Sequence, residues 1–310
     1  MTLDLQKFKD LGRKDKEYLI KYWIDANILV LLIRGDLVVS VDSFQEVLNE
    51  SSSKGNQHKF YKDGLWVKID NQFCYEGLAE EFVSLFEECI YDFPFVRYKS
   101  EMVEYNDNPY LGCYSYNMYN MYNNLDVAFI SCRRLFGKNN IPLNIFIKED
   151  DIARNVLNVV ESIYSLTSLN ILEYLGRLLM LDCLIINEDR HYMNIGVCQN
   201  IKTGAFGVAP CFDNGSSLFC TNWTYRKSKT FEENIQFAKS VARPFSKFFD
   251  KQLDAVLRLG CKPLVIDKNR VRWLINNYSN KLYPDEVVKR VKDVLINRLS
   301  YYEGVAFRYT

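Results

Sequence analysis

The apolar residues of this chain change period part-way along it, and that change restricts the fold to a mixed first half joined to a helical second half. From residue 152 onward they recur at three- and four-residue spacing in the runs 152–166, 169–186, 231–237, 245–259, 268–277 and 285–303. Ahead of these, Lys59-Phe60-Tyr61, the turn Lys62-Asp63-Gly64 and Leu65-Trp66-Val67-Lys68-Ile69 predict a hairpin. Residues 76–90 carry Leu78, Ala79, Phe82, Val83, Leu85, Phe86 and Cys89 at helical period, with Glu80, Glu81, Glu87 and Glu88 along the edges. Strands are predicted over 95–104 and 110–114, joined by Asn106-Asp107-Asn108-Pro109, a strong turn signal. A further hairpin, 195–198 and 206–209 with its turn at Lys202-Thr203-Gly204, interrupts the helical half. Residues 1–36 also read as a packing helix, with Tyr18, Leu19, Tyr22, Trp23, Ala26 and Leu29 at helical spacing and a Gly35-Asp36 stop.

With 310 residues, 48% of them hydrophobic and 15% aromatic, the chain can bury about three quarters of its unfolded surface, enough for one bilobal unit or two tightly packed domains. Lys+Arg and Asp+Glu are equal at 39 each, so no global field draws it onto nucleic acid or an anionic membrane. Nucleic acid is not expected as a direct partner. The nine cysteines are odd in number and scattered, without a CxxC pair, which predicts reduced thiols and a cytoplasmic setting. The longest aliphatic run, 28–33, is too short to cross a bilayer, and the first residues lack a basic n-region. Neither a membrane span nor an export signal is expected.

The chemistry concentrates between the second and third helical runs. Asn187-Glu188-Asp189-Arg190-His191-Tyr192-Met193-Asn194 is followed by Ala209-Pro210-Cys211-Phe212-Asp213-Asn214-Gly215. An acidic residue, an amide five positions later and a second acidic residue at a turn are what a Mg-nucleotide phosphotransferase requires: one group to orient the attacking hydroxyl and two oxygen donors for a hard cation.

These residues, with Ser216-Ser217-Leu218 and Ala242-Arg243-Pro244-Phe245-Ser246, resemble the HipA-type serine/threonine kinases, and most nearly the single-chain members without the N-terminal coupler domain. The Asp-Arg-His-x-x-Asn order also resembles phosphatidylinositol kinases, which share this atypical kinase fold. The resemblance implies an α+β, bilobal, protein-kinase-like fold with a β-rich N-lobe and a mainly helical C-lobe. Residues 1–45 would form a helical extension packed on the kinase, 46–118 the N-lobe with a nucleotide lid, and 119–310 the C-lobe with the catalytic and metal-binding loops.

The resemblance also implies residue roles. Asp189 matches the catalytic aspartate, and Asn194 and Asp213 match the Mg ligands. Asn214 stands where ordinary protein kinases carry Phe, so an aromatic switch at that turn is not expected. Lys68 matches the strand lysine that neutralises ATP phosphates, and Glu81 is the better match for its helix partner, with Glu80 the alternative. Ser51, Ser52, Ser53, Gly55 and Asn56 occupy the place of the phosphate loop, where relatives often autophosphorylate a serine. His191 carries either a chemical role or one bracing the loop, and Asp182 and Arg177 on the preceding helix are read as supports of that loop. Cys113 opens the hinge that would read the adenine edge. The Tyr/Asn-biased stretch 116–124 suits a crossover between lobes.

Members of that family act as growth-arresting toxins or secreted effectors, which implies an antitoxin or regulator as a partner besides a Ser/Thr-bearing protein substrate. A nucleotide-binding pseudokinase remains an alternative reading. So does a kinase of lipid or small-molecule alcohols, for which Arg226, Lys227 and Lys229 are the nearest basic residues.

Overall fold

The computed structural model describes residues 39–47, 57–72, 74–118, 126–143, 151–221, 225 and 228–309. The helix read over 1–36, the serine-rich loop with Ser53, Gly55 and Asn56, and most of the Tyr/Asn-biased stretch lie outside them. In chain order the first elements are β1 (Val39–Ser40), β2 (Gln45–Glu46), β3 (Lys59–Lys62), β4 (Leu65–Ile69), α1 (Glu76–Glu87), β5 (Tyr98–Tyr105) and β6 (Asn108–Tyr116). They are followed by β7 (Val127–Ser131), α2 (Cys132–Lys138), α3 (Ile152–Thr167), α4 (Leu172–Ile185), β8 (Gly196–Asn200) and β9 (Phe206–Val208). The chain continues through α5 (Phe231–Phe237), α6 (Phe249–Arg258), α7 (Lys268–Asn277) and α8 (Asp285–Ala306).

Two tight turns set the register of the first sheet. Asp63 (φ 47°) and Gly64 (φ 85°) are both left-handed, the two-residue geometry whose twist matches the strands it joins. Lys62 therefore faces Leu65, Phe60 faces Val67 and Lys59 faces Lys68. Asn106 (φ 51°) and Asp107 (φ 58°) repeat the device between β5 and β6. With β1 parallel to β5 and β2 antiparallel to β3, the sheet runs β1-β5-β6-β4-β3-β2. Strand alternation separates its faces: Phe60, Val67, Ile69, Val103 and Tyr114 pack with Val41, while Lys59, Lys68 and Cys113 face the other way, toward α1 and the helical part. Strands β1 and β2 come from residues that sequence grouped with, or at the border of, a helical extension. Each is two residues long, below what periodicity can detect.

Helix α1 sits against β6 with unusual closeness. A Cβ on Gly77 would lie 2.5 Å from both the Gly112 carbonyl oxygen and the Tyr283 hydroxyl, so only glycine lets the first turn seat there. Asp70, just after β4, accepts from the Gly77 N–H at 2.7 Å and from the Tyr283 hydroxyl at 2.9 Å. Burial, with Glu76 adding to it, pushes the Asp70 carboxyl up to about 8.

The helical part is built around α4, where Leu175, Leu178, Leu179, Leu181 and Leu184 together with Met180 and Ile185 are fully buried. Strand β8 pairs with β7 on one side and β9 on the other, so the loop between α4 and β8 is anchored at both ends. Sequence placed β7 and α2 in the helical half; β7 pairs instead with a strand far along the chain, a contact a five-residue apolar run cannot announce. All nine cysteines are buried and unbridged. Among the described residues no helix is long and apolar enough to cross a membrane.

Candidate active site

The seam between the first sheet and the helical part gathers four charged groups, Lys59, Lys68, Glu80 and Asp213, in a run of ion pairs. Lys68, 6% exposed, is ion-paired with Glu80 and donates to Asp213 Oδ1 at 2.6 Å. Lys59, opposite it on β3, lies 3.4 Å from Asp213 Oδ2. Burial alone would raise the Asp213 carboxyl, but Lys59 and Lys68 outweigh it and hold the group well below the usual carboxylate range. Desolvation likewise works against the Lys68 ammonium, and Asp213 and Glu80 more than offset it, so the lysine stays charged.

The loop carrying Asp189 leaves α4 through Ile186, a β-branched residue held at φ 53°, a conformation that persists only when its surroundings dictate it. They do. Arg190, 1% exposed, bonds both Asp182 oxygens at 3.0–3.1 Å, the Phe212 carbonyl at 2.7 Å and Asn214 Oδ1. Burial raises the Asp182 carboxyl and the guanidinium pulls it back; the forked geometry is that of an ionised pair. Asn214 in turn donates its backbone N–H to Glu80 Oε2 at 2.8 Å. One connected network thus links the residue after Asp189, the residue after Asp213 and the partner of Lys68.

Asp189 keeps 29% of its side chain exposed, and its Oδ2 lies 4.0 Å from His191 Nε2. Asn194 donates to the Asp189 carbonyl at 3.4 Å, and its backbone N–H bonds the His191 carbonyl at 2.8 Å. His191 is close enough to Asp213 to lower its pKa, and its buried Nδ1 has no hydrogen-bond partner. Asp189, His191 and Asn194 thus share one loop, and Asp213, paired with Lys68 and Lys59, lies near enough to His191 to feel its charge.

The structure corrects three expectations. Glu81 does not pair with Lys68: its Oε2 accepts from Ser100, Tyr278 and Asn280 at 2.7–2.8 Å, whereas Glu80 makes the ion pair. One residue is about 100° of helix rotation, and the seating of Gly77 on β6 fixes the phase that turns Glu80 inward. Cys113 does not open a hinge: it lies inside β6 in register with Lys68 and Ser100, fully buried with Val96 and Tyr98 beside Met118 and Phe212. It lines the seam as an apolar wall. Arg177 supports a different segment, donating to the Tyr91 and Asp92 carbonyls.

Lys59, Arg190 and Asn214 are site residues that sequence reading left without roles there. Lys59 was recoverable from hairpin arithmetic, since a two-residue turn at Asp63-Gly64 forces it opposite Lys68. Glu87, fully buried with its carboxyl pushed well up by desolvation, carries no comparable signal.

The donor chemistry suits a hard divalent cation: an amide oxygen from Asn194 and a carboxylate from Asp213, with lysines rather than thiols or imidazole pairs around them. Asp213 is already held anionic, the state a metal ligand needs. The residues present fit Mg.

The curled mixed sheet, the helical second part and the buried strand lysine paired with a helix glutamate and a loop aspartate define a kinase-like bilobal fold. The structure is similar to the crystal structure of the proinflammatory kinase CtkA of Helicobacter pylori, with a TM-score of 0.60 at 15% identity over 88% of this chain and 99% of that one. It also aligns with Shewanella oneidensis HipA, from a complex with HipB and operator DNA, at a TM-score of 0.40 and 10% identity over 90% of this chain and 71% of that one. No protein-family model and no curated protein matches the sequence.

The corrected pairing makes a separable prediction. Glu80→Gln leaves the buried Lys68 without a full counter-charge and frees the Asn214 N–H from a carboxylate. It is expected to weaken nucleotide binding, measured by calorimetry, by about tenfold, an energy of about 1.4 kcal/mol. Glu81→Gln is expected to leave nucleotide binding near the parental value, because Glu81 bonds neutral groups away from the lysine. The reverse ranking would overturn the assignment.

Proposed function

We propose that this protein is an ATP-dependent phosphotransferase that moves the terminal phosphoryl group of Mg-ATP onto a Ser or Thr hydroxyl of a protein, its own serine-rich loop included. The observation that supports this reading is the buried Lys68 paired with Glu80 and Asp213, with Lys59 beside Asp213, tied through Asn214 and Arg190 to the loop that carries Asp189.

In the proposed mechanism Asp189 accepts a hydrogen bond from the acceptor hydroxyl and takes its proton as the new P–O bond forms and the bond to the leaving nucleoside diphosphate breaks. Lys68 and Lys59 lie where phosphoryl negative charge collects, and the Glu80 carboxylate holds Lys68 in place. Asn194 and Asp213 would hold Mg, which supplies neutralisation of phosphoryl oxygens when bound. The Val96, Tyr98, Cys113, Met118 and Phe212 wall offers an apolar surface for a base. His191 keeps Asp189 oriented. We place the activity in the cytoplasm, with a regulator or antitoxin as its counterpart.

The deciding experiment is incubation with labelled ATP, Mg and a cell lysate, followed by phosphosite mapping. Label on serine or threonine is expected, with at least about a hundredfold less for Asp213→Ala. Equal labelling by that variant, or label confined to lipid, would end the proposal.

A further inference from the structure

Beside the Asp189 loop lies a surface that the phosphotransfer chemistry does not use. The segment between α5 and α6 is bound directly to the catalytic loop: the Val241 and Ala242 N–H groups both donate to the Glu188 carbonyl, at 2.8 and 3.0 Å. The Tyr192 hydroxyl donates to the Pro244 carbonyl at 2.7 Å. The segment closes on itself through Ser240 N–H to the Lys247 carbonyl at 2.9 Å, and Arg243 is exposed at its apex with φ 50°. A non-glycine residue held in the left-handed region of a tightly bonded loop is placed there by its surroundings.

Cations crowd this loop. The Lys239, Lys247 and Lys251 ammonium groups lie 5.7, 5.1 and 5.0 Å from the centre of the Phe248 ring. Three like charges drawn to one aromatic ring repel one another in the absence of an anion, and the ring offsets only part of that cost. Among the described residues none of these three lysines, nor Arg243, is ion-paired; Asp250, the acidic residue within the stretch, is committed to Arg298 at 2.7 Å. The chain as a whole is balanced at 39 and 39, so this is a local concentration of positive charge and not part of a general basic character.

Resting on the phosphotransferase reading, we infer that this loop is the docking site for the protein substrate, and that the substrate is an acidic segment with carboxylate side chains flanking the acceptor hydroxyl. Occupation by a peptide follows from the dimensions. The cations belong to one short loop and the first turn of α6, a span that an extended chain of about four to six residues covers at about 3.3 Å each. A lipid bilayer or a nucleic-acid duplex would require a broader field than one loop provides. The docked segment neutralises the lysines, and the bonds to Glu188 place its hydroxyl beside Asp189.

Binding and transfer are measured separately so that the two ideas fail separately. A fluorescent serine peptide flanked by Glu and Asp is titrated with the full chain by anisotropy, alongside a peptide with those positions changed to Gln and Asn. The acidic peptide is expected to bind at least about tenfold tighter, and Lys239→Glu/Lys247→Glu/Lys251→Glu to abolish that difference without changing affinity for the neutral peptide. Circular dichroism checks that the variant is folded; should it not be, Lys251→Glu alone is expected to reduce the preference. Equal affinity of the parent for both peptides overturns the inference, whatever the outcome of the labelled-ATP assay. So does an unchanged preference in a folded variant, or loss only of binding to phosphatidylserine vesicles or to RNA. Acidic-peptide binding without any phosphate transfer would leave the docking surface standing and remove the phosphotransferase.

Discussion

Asp189→Asn is expected to lower phosphoryl transfer by about 10²–10⁴-fold, the range a positioned general base supplies, while the protein stays folded and binds nucleotide as before. The substitution changes one oxygen for an NH₂ of nearly the same size at a side chain that is 29% exposed, so packing gives no reason for a loss of stability. The amide cannot take the hydroxyl proton. Nucleotide affinity is expected to persist because the charges proposed to meet the phosphates and the metal, Lys68, Lys59 and Asp213, are untouched. Single-turnover transfer and calorimetric nucleotide binding, measured on the same preparation, separate the two quantities. Transfer at the parental rate would remove Asp189 from the chemistry, and a parallel collapse of nucleotide binding would make it a ligand rather than a base.

Arg190→Ala is expected to be the most destabilising single change in the site, by about 3–5 kcal/mol, because it strands the Asp182 carboxylate in the interior. Asp182 is 1% exposed and receives three of the guanidinium's hydrogen bonds. The same truncation leaves the Phe212 carbonyl and Asn214 Oδ1 short of a donor. Asp182→Ala removes the same interaction from the other side, so the double variant should lose much less than the sum of the two single losses. Urea unfolding reads all three. A stability change under about 0.5 kcal/mol for Arg190→Ala, the range of ordinary surface substitutions, would show that the network linking the loops is not what holds them.

The two variants divide the loop between chemistry and support. Asp189 and Arg190 are neighbours in sequence, yet one keeps access to solvent and the other is among the largest fully buried side chains. The placement of the Asp189 carboxylate depends on the burial of the residue beside it. This is a costly arrangement in stability, and it ties the Asp189 loop to the Asp213 turn through one buried network.

Much of this was legible from the chain alone, for a physical reason that can be named. The hairpin at Asp63-Gly64 and the turn at Asn106-Asp107 follow from residues that tolerate positive φ, and α5 and α7 begin and end where the sequence reading put them. The mixed first half and helical second half followed from the same local signals, and the kinase-like architecture from the family resemblance carried by the Asp-Arg-His-x-x-Asn order. Turn chemistry and helical period act over a few residues, so the amino-acid order carries them completely.

Long-range choices were not carried in that way. Whether Glu80 or Glu81 meets Lys68 depends on the rotation of α1, which the contact of Gly77 with Gly112 decides. That Cys113 lines a wall instead of opening a hinge depends on where β6 ends. The strands β1, β2 and β7 exist because partners elsewhere complete them. The sequence by itself determined the local elements and the oxygen-bearing residues available to them. The tertiary structure alone decided which of those residues meet, because a one-residue step on a helix or strand turns a side chain to another face and only packing selects the face.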